Sequence, residues 1–539
     1  MFDFKGMVDA LFGRDSKQGV HDIKSATTWM EQLPRSDMQQ ALVEIVKALN
    51  GLNHNPKIKA KERFRTVLYL DEKAQPLERY LIAVYQGDEF IPEVQPRHVL
   101  PTLMSFWHEM ANGYKVCIKQ YSDSPSRALE PQLELVNLRA LHYFAMQAKW
   151  AYCRYVEVDS RIWRNTHKLY LYATTEGYHQ KPLTMFEGQK PTTIEAEYLR
   201  LLMLHLAIPE KRRAEQIELL DHWLPNWISL VQFENHIKPH RQLFAVNLDD
   251  ARPPTKLRRN MVGDRYRYFQ TDDLVAHVQK LVEKVKQGKF PPELGDLDSG
   301  RAPAIGQLLS EVALAWSRDG VNLARRHERT STNKRVRVVY SLDDIIKLMH
   351  SPNLKMREPE NEAPTSNQMK VQFVGPATIT GDKDKNELFA PDHEEWIVEN
   401  ESVTGIGANY RAAFDDALEI GELIGAKAEK DTKFAVGIVR RLTKNREGKV
   451  NVGVELISQT PVLVELTPTD GSHPFFAVYA PESPNPQLGR FMVIPAAQYE
   501  AERELILSAQ SKRYRIHLMP PLEALPDNVL ANFKVLEKL

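Results

Sequence analysis

Two short segments hold side chains suited to gripping an anion. Arg325, Arg326 and Arg329 fall within five residues, in the order Arg-Arg-His-Glu-Arg. An arginine fork can hold a phosphate through two parallel hydrogen bonds, address the O6 and N7 edge of guanine, or stack on its face; a lysine ammonium does none of these equally well. Further along, Asn400-Glu401-Ser402-Val403-Thr404-Gly405 supplies short hydrogen-bonding groups at Asn400 and Ser402, and at Gly405 a position where a missing Cβ allows unusual backbone or close approach. Each segment also has a plainer reading. A basic run at a helix end complements the helix dipole, and Asn-x-Ser ahead of Gly is ordinary turn chemistry, with the short side chains bonding nearby backbone.

The elements that must position these residues change character along the chain. Up to about residue 320 apolar residues recur at three and four positions, which predicts helices at 36–49, 98–112, 130–155, 159–175, 272–287 and 304–324. A further helix is expected to open with Thr192 and Glu195 as a capping box. Residues 351–368 combine Pro, Asn, Ser and charge with almost no large apolar side chains and read as a loop. Beyond them the period switches to two, predicting strands at 369–375, 394–400, 434–442 and 449–457, the last two joined as a hairpin through 445–448. Strand candidates continue at 462–468, 474–480, 490–494, 503–508 and 512–518.

The first segment ends the helix at 304–324 and precedes the strand Arg335 to Tyr340, and the second ends the strand carrying Trp396. In that setting they resemble the two signatures of PilZ domains, RxxxR and (D/N)xSxxG. The likeness continues through Ile420 to Gly425 (IGELIG), Val436 to Arg441 (VGIVRR) and Val452 to Leu456 (VGVEL), which look like the later strands of that six-stranded barrel in order. The resemblance implies a multidomain α+β chain: an all-α helical domain at 1–320, a PilZ-like six-stranded antiparallel β-barrel at 321–460 with an insertion at about 341–368, and a second β unit at 461–539. It further implies a cyclic di-GMP receptor without catalytic activity. Arg325, Arg326, Arg329, Asn400, Ser402 and Gly405 would close on the dinucleotide, often an intercalated dimer, and domain rearrangement would relay binding to an unidentified protein partner. A non-binding adaptor built on a degenerate barrel is the alternative.

Other chemistry has no anchor. No GxxxxGK[ST], HExxH, GxSxG or CxxC occurs, and the 17 histidines are scattered, so neither a metal nor a cofactor is expected. Cys117 and Cys153 lie in apolar helical surroundings and read as buried free thiols. Lys plus Arg equals Asp plus Glu at 71 each, which argues against nucleic acid as a partner, although Lys256 to Tyr268 is locally basic with interleaved tyrosines and is read as a solvated connector. The aromatics Tyr143, Phe144, Trp150, Tyr152, Trp223 and Trp227 are expected in the helical core. No stretch approaches the roughly 20 apolar residues of a membrane helix, and the first residues lack a secretory pattern, so no membrane insertion and a cytoplasmic location are expected.

Overall fold

The computed structural model describes residues 20–34, 36–87, 96–238, 240–295, 297, 299–322, 328–350, 393–411, 418–428, 434–445, 447–509 and 512–539. The chain divides into two compact units, 1–324 with 443–448, and 325–442 with 449–539.

The first unit is built from eleven described helices: α1 Ile23–Met30, α2 Met38–His54, α3 Ala60–Gln86, α4 Pro96–Asp123, α5 Glu130–Cys153, α6 Ser160–Thr175, α7 Ile194–Leu206, α8 Ala214–Trp227, α9 Asp272–Lys286, α10 Ala302–Trp316 and α11 Arg318–Asn322. Short polar side chains start several of them. Asp37 accepts from the Gln40 amide at 2.8 Å and Asp159 from the Arg161 amide at 2.8 Å, each satisfying a donor that the first helical turn leaves free. The α7 cap is Thr193, one residue beyond the expected Thr192, with its hydroxyl 3.0 Å from the Ala196 amide. Glu195 is not part of a capping box; it accepts instead from the Tyr170 hydroxyl at 2.7 Å. The expected aromatics are buried, with Trp107 stacked on Trp150 at 5.6 Å between ring centroids. Cys117 is buried, whereas Cys153 is only partly so, and both are free thiols.

Two further corrections concern this unit. The helix expected at 304–324 stops at Trp316, because Ser317 turns to extended backbone and its hydroxyl accepts from the Gly320 amide at 3.1 Å. A Cβ on Gly320 would collide with the Leu314 carbonyl, so the fold-back into α11 requires glycine. The second correction is at 256–268, which is no simple connector. It contributes to an antiparallel sheet of β1 Gln232–Glu234, β2 Phe244–Asn247, β3 Thr255–Lys256 and β4 Tyr266–Gln270, in the order β1-β4-β2-β3. Tyr268 is 1% exposed and donates its hydroxyl to the Met261 carbonyl at 3.0 Å, so its ring is not available to stack on a base. Among the described residues no helix is long and apolar enough to cross a membrane.

The second unit holds two closed barrels. The first comprises β5 Thr330–Tyr340, β6 Glu394–Ser402, β7 Gly405–Arg411, β8 Leu423–Ala428, β9 Ala435–Lys444 and β10 Lys449–Ser458, in the order β10-β7-β6-β5-β8-β9. The pairs β10–β7, β7–β6, β6–β5, β5–β8 and β8–β9 are antiparallel. Its six strands are complete without the strand expected at 369–375, which lies outside the described residues, as does the loop at 351–368. Period-two alternation fills the interior: Trp396 is fully buried and stacks on Tyr410 at 5.1 Å, while Ile397 between Trp396 and Val398 is 39% exposed. Helix α12, Leu342–His350, follows β5 and buries Leu342, Ile345 and Leu348.

The second barrel comprises β11 Val462–Pro468, β12 Phe475–Ala480, β13 Phe491–Pro495, β14 Glu504–Ala509, β15 Lys512–Ala524 and β16 Asn528–Lys538, in the order β11-β12-β13-β16-β15-β14. Numbered one to six within each barrel, the strands run 1-2-3-6-5-4 around both, so the C-terminal β unit repeats the connectivity of the first. The barrels share a core in which Val339, Ile345, Leu423 and Ile438 meet Val478, Phe491, Val493 and Leu530. Arg440 on β9 bridges them, donating to Glu455 on β10 at 2.8 Å and holding the Glu523 carboxylate on β15 from both guanidinium ends. Burial works against its charge, but the two carboxylates outweigh it and raise the Arg440 pKa above its ordinary value.

Candidate functional site

The NxSxxG segment forms the hairpin turn between β6 and β7. Ser402 and Gly405 face each other as the last cross-strand pair, Val403 and Thr404 make the two-residue connection, and the Ser402 hydroxyl donates to the Gly405 carbonyl at 3.2 Å. Gly405 is needed here for close approach rather than for unusual backbone. A Cβ at this position would lie 2.6 Å from the Val454 carbonyl oxygen on β10, which pairs with β7 through Gly405 and Glu455. The Thr404 carbonyl is fixed by the Leu456 amide at 3.0 Å. The turn is therefore clamped on β10, and its tip, Val403, is 65% exposed.

A β-bulge orients Asn400. Between Val398, paired with Ala408, and Asn400, paired with Gly407, the partner strand advances by only one residue, so Glu399 is the extra one. Without that slip Asn400 would share the inward face of Val398; with it, the carboxamide lies over Gly407, where a Cβ would stand 2.6 Å from Oδ1. Arg329 sits immediately before β5, whose first pairings are Thr330 with Glu401 and Ser331 with Asn400. Its Nη1 donates to Asn400 Oδ1 at 2.6 Å, joining the arm to the turn. The side chain of Arg329 is exposed and Asn400 half-buried. Arg325 and Arg326 lie outside the described residues.

The carboxylates around the turn are engaged elsewhere. Lys334 holds Glu401 at 2.7 Å, Glu399 accepts from Asn409 at 2.5 Å and from Lys449 at 3.1 Å, and Glu455 is taken by Arg440. The outer face at Asn400 thus presents guanidinium and carboxamide donors beside acidic groups that already have cations. That arrangement suits an anionic, hydrogen-bonding ligand.

Arg329, Asn400, Ser402 and Gly405 are brought together by β5, β6 and β7. The sequence reading did not single out Gly407, on which the Asn400 amide rests. The available signal was the alternation Gly405-Ile406-Gly407, since two glycines at period two leave one face of a strand bare.

Residues 24–240 match a family model described as the N-terminal domain of the cyclic-di-GMP receptor FimW, and residues 350–461 match one described as its middle PilZ domain. A curated relative, the cyclic-di-GMP receptor FimW of Pseudomonas aeruginosa, is 20% identical over 491 residues, covering 81% of this chain and 77% of its own length.

Proposed function

Since the chain belongs to the PilZ-domain proteins, we propose that it is a receptor for cyclic di-GMP. In this reading Arg325, Arg326 and Arg329 form a guanidinium arm that closes on the ligand against Asn400, Ser402 and Gly405. The observation that carries it is the Arg329 guanidinium resting at 2.6 Å on the Asn400 carboxamide beside the clamped turn. Ligand phosphates would compete for the same guanidinium, exchanging a neutral acceptor for a charged one, which strengthens the hydrogen bond. No step here needs bond making or breaking, so binding itself is the event, placed in the cytoplasm.

The second barrel supports a single site per chain. It repeats the connectivity of the first, yet Gln459, Thr460 and Pro461 precede β11 where the arm would be, and the connection between β12 and β13 contains no NxSxxG. We assign it a supporting role.

Calorimetric titration tests the receptor reading. Cyclic di-GMP is expected to bind the wild-type chain, with GTP and cyclic GMP binding far more weakly, and Arg325→Ala/Arg329→Ala is expected to weaken binding by well over tenfold. Binding to the native state also raises stability, by roughly 2.7 kcal/mol at about 100 times the dissociation constant. A folded wild-type protein giving neither heat nor a thermal shift would leave the adaptor as the function.

The relay to a partner is the finer part of the proposal. Ligand binding is expected to change the small-angle scattering profile of the full chain. Superimposable profiles with and without saturating ligand would remove domain rearrangement from the mechanism.

A further inference from the structure

The site as read from its signatures ends at β7, but the glycine pattern continues across the sheet. Gly407 on β7 pairs directly with Gly453 on β10, so their missing side chains would project from the same face. Each vacancy is used by a neighbouring strand. The Asn400 carboxamide covers Gly407, and Arg441 on β9 covers Gly453, where a built Cβ would lie 3.2 Å from Arg441 Cβ and 3.6 Å from its Nε. Arg441 is therefore folded down on the sheet toward Asn400. Adjacent strands lie about 4.8 Å apart, so the part of Arg441 that covers Gly453 is roughly one strand spacing from Gly407, which the Asn400 carboxamide covers and Arg329 approaches from the other side.

Arg441 is exposed and has no hydrogen bond or ion pair with another described residue. Its neighbour in sequence, Arg440, is by contrast fully engaged by Glu455 and Glu523. Glu399 and Glu401 on β6 are held by Lys449 and Lys334, so neither balances Arg441. An arginine laid flat beside a hydrogen-bonding carboxamide, without a carboxylate of its own, is a prepared anion contact.

We propose that Arg441 is a further ligand-binding residue: its fork takes a phosphodiester of the cyclic dinucleotide on the far side of Asn400 from Arg329, and the cross-strand pair Gly407–Gly453 is what lets it reach that position. This extension rests on the reading of the face as the cyclic di-GMP site. It makes the binding surface span β6, β7, β10 and β9 instead of the turn alone.

Calorimetry on the full chain tests it with Arg441→Ala, Arg441→Lys and, as a charge control on the second barrel, Arg513→Ala. Because Arg441 is exposed, its removal should leave the melting temperature unchanged. Arg441→Ala is expected to weaken cyclic di-GMP binding roughly tenfold or more at low salt, with the difference shrinking as salt rises. Arg441→Lys should recover only part of the loss, since an ammonium lacks the fork, and Arg513→Ala should match wild type. Inorganic phosphate at the same concentrations is expected to give no heat, separating dinucleotide recognition from loose anion binding. Wild-type affinity in Arg441→Ala, or an equal loss in Arg513→Ala, would overturn the assignment while the receptor reading stands. Absence of binding to the wild-type chain would overturn both.

Discussion

Gly405→Val is expected to abolish cyclic di-GMP binding and to lower stability by about 1–3 kcal/mol, the usual cost of forcing atoms into a packed site. The cause is on the neighbouring strand. Even the first carbon of a side chain would meet the Val454 carbonyl at 2.6 Å, and that oxygen belongs to backbone fixed by the β7–β10 ladder, so it cannot swing aside. The strands must part, and the turn carrying Ser402 moves with β7. Urea unfolding gives the stability change and calorimetry the binding; Val403→Ser at the exposed tip is the control and should change neither substantially. A Gly405→Val protein with wild-type stability and affinity would show that the turn is not clamped as described.

The second large effect lies in the helical unit. Asp71 on α3 is fully buried: one carboxylate oxygen takes the Tyr114 hydroxyl and Arg139 Nη1 at 3.2 Å, the other takes the Tyr143 hydroxyl and Gln75 at 3.0 Å. Burial pushes its pKa above the ordinary carboxylate range, opposed by Arg139 and the two hydroxyls. Asp71→Ala would strip the acceptor from four donors and leave Arg139, 3% exposed, without its buried counter-charge. The expected cost is about 3–5 kcal/mol in denaturant unfolding, typical of breaking a buried ion pair from one side. A loss below about 1 kcal/mol would mean that water or repacking satisfies Arg139.

The same network explains a gap in the sequence reading. Helix α3, at 27 residues, was not anticipated, because Arg63, Asp71 and Glu78 occupy buried positions and interrupt the apolar repeat on which helix recognition depends. Among the barrel strands, β7 and β16 were also missed. β7 buries every residue from Gly405 to Tyr410, Asn409 included, so no exposed positions mark its period.

What the sequence determined by itself was local: the helix-to-strand switch in period, the alternation that buries Trp396 and Val398, and the arginine and NxSxxG segments with their chemistry. The tertiary structure decided which of these residues meet. One extra residue at Glu399 turns Asn400 to the face of Gly407, and the circular order of six strands sets β10 and β9 beside β7, bringing Arg441 toward Asn400. The repeated 1-2-3-6-5-4 connectivity of the second barrel was hidden for the same reason. Side-chain pattern fixes a strand's inward face, but its neighbours and register follow from barrel closure, to which residues far apart in the chain contribute together.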